Sequence, residues 1–419
     1  MRYLINSAIQ IADYMTDNNK IKIGLFGFGT VGQGVWKVLR QAKNAHAEIR
    51  RICVRDITKP RATAVPEGML TDKAEDIFGD KEINLIVELV DDAEASFRIV
   101  STALRHGIPV VSGSKAMIAR HLPELIELQR EHDTALLYDA SSCGSIPVIR
   151  NLEEYYDNDL LLELKGILNG SSNYILSRVF DHGEDYDSAL RRAQELGFAE
   201  SDPSFDIEGY DSLFKLIIIT VHALGRFVAA DEIFTVGISH IADCDIRYAR
   251  EKDKKIKLVA QVVKTAPEAF TMFVMPELVD RSKYIYSVDD EYNGVVIRGE
   301  CYDRQFMFGK GAGGLPTASS ILSDIMARRH DYRYEYKKMS YLNRPYYTTD
   351  VTLRVYIRYN RTPVPELLIF NQIHEQLLTP GNKYIIGDIN LNELIANRDI
   401  FNAPDVFIAN IPIFFIDRD

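Results

Sequence analysis

The sequence predicts an α/β fold: a Rossmann-type dinucleotide-binding domain over residues 20–146, an α+β domain over 147–330 and a small α+β module over 340–419. Three observations predict it. Strand-like and helix-like segments alternate from Lys20 onward, the turn Gly27-Phe28-Gly29-Thr30-Val31-Gly32 joins the first strand to the first helix, and the alternation stops after Pro147. At 419 residues the chain exceeds the size at which single hydrophobic cores stop growing, so two or three domains are expected.

Taken in order, Ile21 to Phe26 reads as a buried strand, and Val31 to Gln41 as an amphipathic helix that follows at once. Glu48 to Val54 is a second strand, Asn84 to Leu89 a third, Ser96 to His106 a helix, Pro109 to Ser112 a strand and Leu122 to His132 a helix. Such alternation implies a parallel sheet with helices on both faces. After Pro147, Leu160 to Leu168 is strand-like, and two helices, Asp185 to Leu196 and Ser212 to Leu224, flank a loop rich in Pro, Asp and Gly. Strand-like pieces follow at Phe270 to Val274 and Gly294 to Glu300, then a glycine-rich turn at Gly309 to Pro316 and a helix from Ala318 to Arg328. The segment 305–330 is a candidate to pack back on the first domain. From about Tyr334 the chain is rich in Tyr and Arg, with apolar segments at Val351 to Tyr359, Glu366 to Leu378, Lys383 to Ile389 and Val406 to Ile416.

Composition narrows the function classes. A formal charge of −11 disfavours phosphate backbones and anionic lipid, so no nucleic acid and no membrane is expected as partner, and a small-molecule substrate is. Cys53, Cys143, Cys244 and Cys301 form neither metal-type pairs nor a disulfide scaffold, which fits reduced thiols in the cytoplasm. Residues 1–19 read as an N-terminal extension, without the basic start, apolar run or cleavage site of a signal peptide. The longest apolar run, Leu216 to Leu224, is interrupted by His222 and falls far short of a membrane span.

The glycine turn stands between a strand and a helix, the setting in which this spacing binds a dinucleotide. Gly27 permits the tight turn, Gly29 lets backbone N–H groups approach a pyrophosphate, and Gly32 permits close packing of helix on strand. Phe28, Thr30 and Val31 complete the loop. After the second strand, where an acid commonly holds a ribose 2′-hydroxyl, stands Arg55, with Asp56, Lys59 and Arg61 following. A guanidinium there can pair with a 2′-phosphate, which favours NADP over NAD; the alternative is a solvated Arg55 with Asp56 turned inward.

The second candidate feature runs from Ala193 to Lys215, where Glu200, Asp202, Asp206, Glu208 and Asp211 crowd a short loop before Lys215. With a helix beginning near Tyr210, Asp211 and Lys215 stand at i and i+4 on one face. A partly desolvated lysine flanked by carboxylates can transfer a proton to or from a substrate oxygen; a surface ion pair at a helix start is the plainer reading.

This stretch resembles the homoserine dehydrogenase signature at every position. Ser114-Lys115-Ala116, Ile167 to Leu176 and Gly311 to Ser319 resemble further segments of that family in order and spacing, so the likeness covers about Lys20 to Arg328. The resemblance implies NAD(P)-dependent interconversion of L-homoserine and L-aspartate 4-semialdehyde in threonine and methionine biosynthesis. It implies catalytic roles for Lys215, Lys115 and Asp211, substrate contacts from Glu200, Asp206, Gly170 and Ser171, and cofactor contacts from the glycine turn, Arg55, Lys115 and Gly311. It also implies a homodimer or higher homo-oligomer, an α+β domain that binds substrate and mediates dimerisation, and an ACT-like C-terminal module. Tyr138 to Pro147 resembles the family's sodium-holding loop, which points to Asp139, Ser142 and Gly144, with Asp139 replacing the usual Glu.

The chain departs from the family at Val90-Asp91-Asp92-Ala93, in place of a Gly-Gly-like turn, and at Ser112-Gly113-Ser114, in place of Thr-Ala-Asn. Ser171 replaces a threonine, and Asn360 to Pro365 replaces the Lys-Pro-Gly-Val turn of the regulatory module. Two extra carboxylates near a cofactor repel its phosphates. A dinucleotide-binding sensor or scaffold without turnover, or a dehydrogenase of another amino-acid aldehyde, is therefore the competing expectation.

Overall fold

Buried Ile21, Ile23, Leu25 and Phe26 make β1 (Ile21–Phe26) the centre of the first sheet of this computed structural model, which describes residues 20–42 and 44–412. The N-terminal extension lies outside the described residues. The chain continues through α1 (Thr30–Gln41), β2 (Ala47–Cys53), β3 (Leu70–Thr71), α2 (Glu75–Phe78), β4 (Leu85–Glu88), α3 (Ala93–Arg105), β5 (Val110–Ser112), α4 (Lys115–Glu131), β6 (Leu136–Leu137) and α5 (Ala140–Cys143). The six strands pair in parallel in the order β3-β2-β1-β4-β5-β6. Strand order reverses between β1 and β4, which places a ligand crevice at their C-terminal ends. Helix α4 begins at Lys115 rather than Leu122 and carries Pro123 in its interior. Met117, Ile118, Ala119 and Leu122 bury an apolar stripe ahead of the proline, which outweighs the hydrogen bond it removes.

The second unit opens with α6 (Val148–Glu154), β7 (Leu161–Ile167), α7 (Gly170–His182), α8 (Tyr186–Glu195), the single turn α9 (Ser204–Ile207) and α10 (Tyr210–Leu224). It continues through β8 (Phe234–Thr235), α11 (Asp243–Glu251), β9 (Lys254–Ala266), β10 (Ala269–Asp280), β11 (Tyr292–Gly299) and β12 (Asp303–Lys310). Helix α12 (Gly314–Arg328) then returns to the first unit, which comprises the chain up to Ser145 together with Gly313–Glu335. A Cβ on Gly34 of α1 would lie 2.3 Å from the carbonyl oxygen of Gly314, so the two helices pack at backbone distance only because no side chain intervenes. The expected 305–330 segment therefore divides, β12 staying with the second unit and α12 joining the first.

The remaining elements are β13 (Tyr346–Tyr347), β14 (Thr352–Tyr359), α13 (Val364–Leu367), β15 (Phe370–Thr379), β16 (Asn382–Asn390), α14 (Leu391–Ala396) and β17 (Phe407–Asn410). From β14 to β17 they form a βαββαβ unit with strand order β17-β14-β16-β15, whose first helix is reduced to one turn. The segment 340–419, expected as a module of its own, shares the second unit's sheet, because β17 pairs with both β14 and β10. Its core is shared too: Leu353, Val355, Ile357, Ile385 and Leu394 pack with Phe234, Phe273 and Met275 of β8 and β10. On the opposite face the buried Asp245 of α11 accepts hydrogen bonds from Tyr356 and Arg358 of β14. Among the described residues no helix is long and apolar enough to cross a membrane, and all four cysteines are free thiols.

Candidate active site

In the first unit the site is made of backbone. Gly27 has φ +91°, and a Cβ there would meet the carbonyl oxygen of Leu89 at 2.4 Å. Gly32 is confined in the same way, 2.4 Å from the carbonyl oxygen of Gly27, so α1 starts hard against the turn. A Cβ on Gly29 would meet nothing within 4 Å, and this residue presents an open backbone face at the start of α1. That combination leaves orphan N–H groups and the positive helix end open to solvent, an arrangement that suits an anion such as a pyrophosphate. Beyond β2, Arg55 is exposed, while Arg61 folds back to donate to the carbonyl oxygens of Asp56 and Lys59 at 2.7 and 2.8 Å. The Asp56 carboxylate accepts from the Thr58 hydroxyl and amide, which hold it below the usual carboxylate range. It is exposed rather than turned inward.

Lys115 is the first residue of α4, half-buried beyond the C-terminal end of β5. Asp92 is the N-cap of α3, and its carboxylate accepts from the amide of Ala95 at 2.7 Å. One of the two extra acids is thus explained by a helix end. Asp139 is buried, with its amide donating to Asp324 at 3.0 Å, and the buried Ser142 hydroxyl has no protein partner. Gly144 follows with φ +54°. Among the described residues no cluster of three or more His, Cys, Asp or Glu side chains forms a metal cage.

In the second unit the site is made of buried charge. Gly209, at φ +89°, turns the chain into α10, where Asp211 sits in the first turn and is favoured by the helix dipole. Lys215, one turn on and 6% exposed, donates to Asp211 Oδ2 at 2.7 Å and to the carbonyl oxygen of Leu168 at 2.6 Å. Its ammonium has three donors, of which these two bonds use two. Asn169 caps α7 by accepting from the Ser172 amide, and its own amide donates to Asp206 at 2.7 Å and Asp211 at 2.9 Å. Asn293, fully buried, donates to the same Leu168 carbonyl as Lys215.

The structure therefore brings Lys215, Asp211 and Asp206 into one hydrogen-bonded group and adds two residues the sequence reading missed, Asn169 and Asn293. Gly170 directly follows Asn169 of this group, with room for no side chain, since a Cβ would lie 2.6 Å from the Glu291 carbonyl oxygen, and Ser171 donates to the carbonyl oxygen of Phe198. Glu200 is exposed, its carbonyl accepting from the Gln194 side chain at 3.0 Å, and among the described residues its carboxylate has no bond to this group. Gly311 is adjacent to Asn293 in the second unit; the residue of that turn packed on the glycine loop is Gly314, whose Cβ would lie 3.0 Å from Thr30.

A parallel sheet with a glycine crevice, and a buried lysine–carboxylate group able to exchange a proton, define a dinucleotide-dependent oxidoreductase. Residues 27–139 match the NAD-binding domain of homoserine dehydrogenase, and residues 147–326 match the homoserine dehydrogenase family. The chain belongs to that family, whose enzymes interconvert L-homoserine and L-aspartate 4-semialdehyde with a nicotinamide dinucleotide. It is 35% identical over 314 residues to the homoserine dehydrogenase of Synechocystis sp., spanning 73% of this chain and 72% of that one. The Bacillus subtilis enzyme is 32% identical over the same shares. Among solved structures, the homoserine dehydrogenase of Thiobacillus denitrificans superposes with a TM-score of 0.80 at 29% identity, covering 94% of this chain and 98% of that one. That of S. aureus gives 0.71 at 25% identity, covering 94% and 100%.

Proposed function

We propose that Lys215 is the proton-transfer residue of this enzyme, its ammonium giving a proton to the aldehyde oxygen in the reducing direction and the resulting neutral amine accepting the hydroxyl proton of homoserine in the oxidising direction, and that NADP is the preferred cofactor. The observation that carries the first part is the enclosure of Lys215 by Asp211 and Leu168 O, which fixes its nitrogen and uses two of its three donors. Bound cofactor supplies or accepts the hydride. Asp211 orients Lys215, Asp206 and Gly170 line the substrate side, and Lys115 polarises the reacting oxygen as negative charge develops on it. Support for NADP comes from Arg55, exposed after β2, with Lys59 on the same loop and Arg61 bracing it. The hard oxygen donors Asp139 and Ser142 fit a sodium ion, which would brace that loop. The βαββαβ order supports an ACT-like reading of the C-terminal segment, and family membership supports a homodimer.

The test is homoserine oxidation followed with NADP and with NAD, with and without sodium. Turnover with NADP at lower concentration than NAD is expected. Absence of turnover with either cofactor, in folded protein that binds NADPH, would leave a non-catalytic sensor as the better reading. A substrate panel in which homoserine is poor would point to another aldehyde.

A further inference from the structure

The first unit holds a carboxylic acid that the proposed chemistry does not use. Glu88, the last residue of β4, is 0% exposed in a sheet whose neighbouring positions, Ile86 and Val87, are apolar. Burying an acid without a cation costs several kcal/mol by the usual desolvation scale, so its bonds need to be of use elsewhere in the fold. Burial pushes the carboxyl above its ordinary range against hydrogen bonds that favour its charged form.

Its hydrogen bonds to Val90 and Ser112 reach both turns at the mouth of the crevice. Glu88 Oε1 accepts from the Val90 amide at 2.6 Å, fixing the turn that carries Asp91 and Asp92. Glu88 Oε2 accepts from the Ser112 hydroxyl at 2.7 Å, and the Ser112 oxygen in turn accepts from the Ser114 amide at 3.1 Å. Ser114 is the residue before Lys115, and its carbonyl accepts the first turn of α4 from Ile118. Glu88 also faces Ser112 across the β4–β5 ladder, and its carbonyl accepts from Gly113. The first of these turns abuts the glycine loop, since Leu89 donates to the Phe26 carbonyl and its own carbonyl limits Gly27. Two of the segments that depart from the family pattern, Val90 to Ala93 and Ser112 to Ser114, are thus joined by one side chain.

We propose that Glu88, acting through Ser112, is a positioning residue for Lys115, setting where α4 begins and hence where the lysine nitrogen stands. The proposal rests on the catalytic reading of Lys115. A displacement of about 1 Å in a reacting group costs roughly 100-fold in rate, so loss of the relay is expected to lower kcat about 10- to 100-fold. Glu88→Gln keeps an acceptor for Val90 and a partner for Ser112, and is expected to stay within about threefold of the wild type, the size of one neutral hydrogen bond.

The experiment measures kcat, homoserine KM and NADPH affinity for Ser112→Ala, Glu88→Leu and Glu88→Gln, each in the wild-type and the Lys115→Ala background. Ser112→Ala removes one oxygen and serves as the informative variant where Glu88→Leu fails to fold. The expected result is a fall in kcat with NADPH affinity retained, rescue by Gln at position 88, and no further loss when Lys115 is already Ala, since residues acting through one group are non-additive. Unchanged kcat in Ser112→Ala, beside a Lys115→Ala whose kcat is strongly lowered but still measurable, overturns the relay alone. An equal loss in both backgrounds also overturns it, showing a general packing effect. Wild-type turnover by Lys115→Ala instead overturns the reading of Lys115 on which the relay depends.

Discussion

The two units carry candidate site residues of opposite kinds. In the first, Gly27, Gly29 and Gly32 work by lacking side chains: two are jammed against carbonyl oxygens and the third faces open space. In the second, Lys215, Asp211 and Asn169 are present, buried and bonded together, with the half-buried Asp206 held by Asn169. The same contrast extends into the cores. β1, β4 and β5 are almost wholly apolar, whereas β9 carries the buried Lys255, Lys257 and Lys264 on bonds to Asp181, Asp289 and the Asp159 carbonyl. A site of bare backbone tolerates exchange of its surroundings and fails by added bulk. A site of buried ions fails when any one partner is removed.

The sharpest test of this contrast is a pair of variants. Lys215→Ala is expected to lower kcat by about 10²–10⁴-fold, the usual worth of a positioned acid or base, with NADPH affinity kept. Gly29→Leu should do the reverse at this level: NADPH binding lost, as titration would show, and thermal stability kept, because no atom lies within 4 Å of the added Cβ. Parallel loss of binding and stability in Gly29→Leu would break the comparison. Next in size, Asp245→Asn strands the buried Arg358 guanidinium, and denaturant unfolding should report a loss of about 3–5 kcal/mol. Smaller is Arg55→Asp, expected to shift the NADP-to-NAD ratio of kcat/KM about tenfold toward NAD, the value of one charge-assisted contact. An unchanged ratio would take Arg55 out of cofactor selection.

The smallest effect is a pH dependence in the C-terminal segment. Asp405 is partly buried, which raises its pKa, but the amides of Thr362, Arg361 and Asn360 outweigh this and hold it down to about 2. Its folded pKa lies below the model-peptide value, so its stabilisation is full above about pH 4 and is lost as pH falls through about 2. Asp405→Asn should lower the unfolding midpoint at neutral pH, and the two proteins should converge in acid. A difference that persists at pH 2 would mean the Asp405 bonds do not depend on its charge.

The glycine turn and the Asp211–Lys215 pair were legible because each is local, a fixed spacing on one strand–helix junction or one helix face. Strand β9 was not, since its lysines interrupt the apolar alternation and only the folded chain shows the acids that accept them. Asn169, Asn293 and Glu88 were equally hidden: a lone amide or acid has no pattern, and its use depends on partners up to 125 positions away, as for Asn293 and Leu168. The expected independence of the 340–419 segment failed for a related reason, because a shared core is a property of contacts between Phe273 and Leu353, not of either segment's composition.

The contact between Gly34 and Gly314 also sets a timetable. The ribosome emits Gly34 about 280 residues before Gly314, which at ordinary elongation rates is roughly tens of seconds. Once β6 has followed, the nascent first unit has every strand of its sheet but not the helix packed on α1, so the flank of α1 awaiting α12 is a surface for chaperones to guard until that helix emerges.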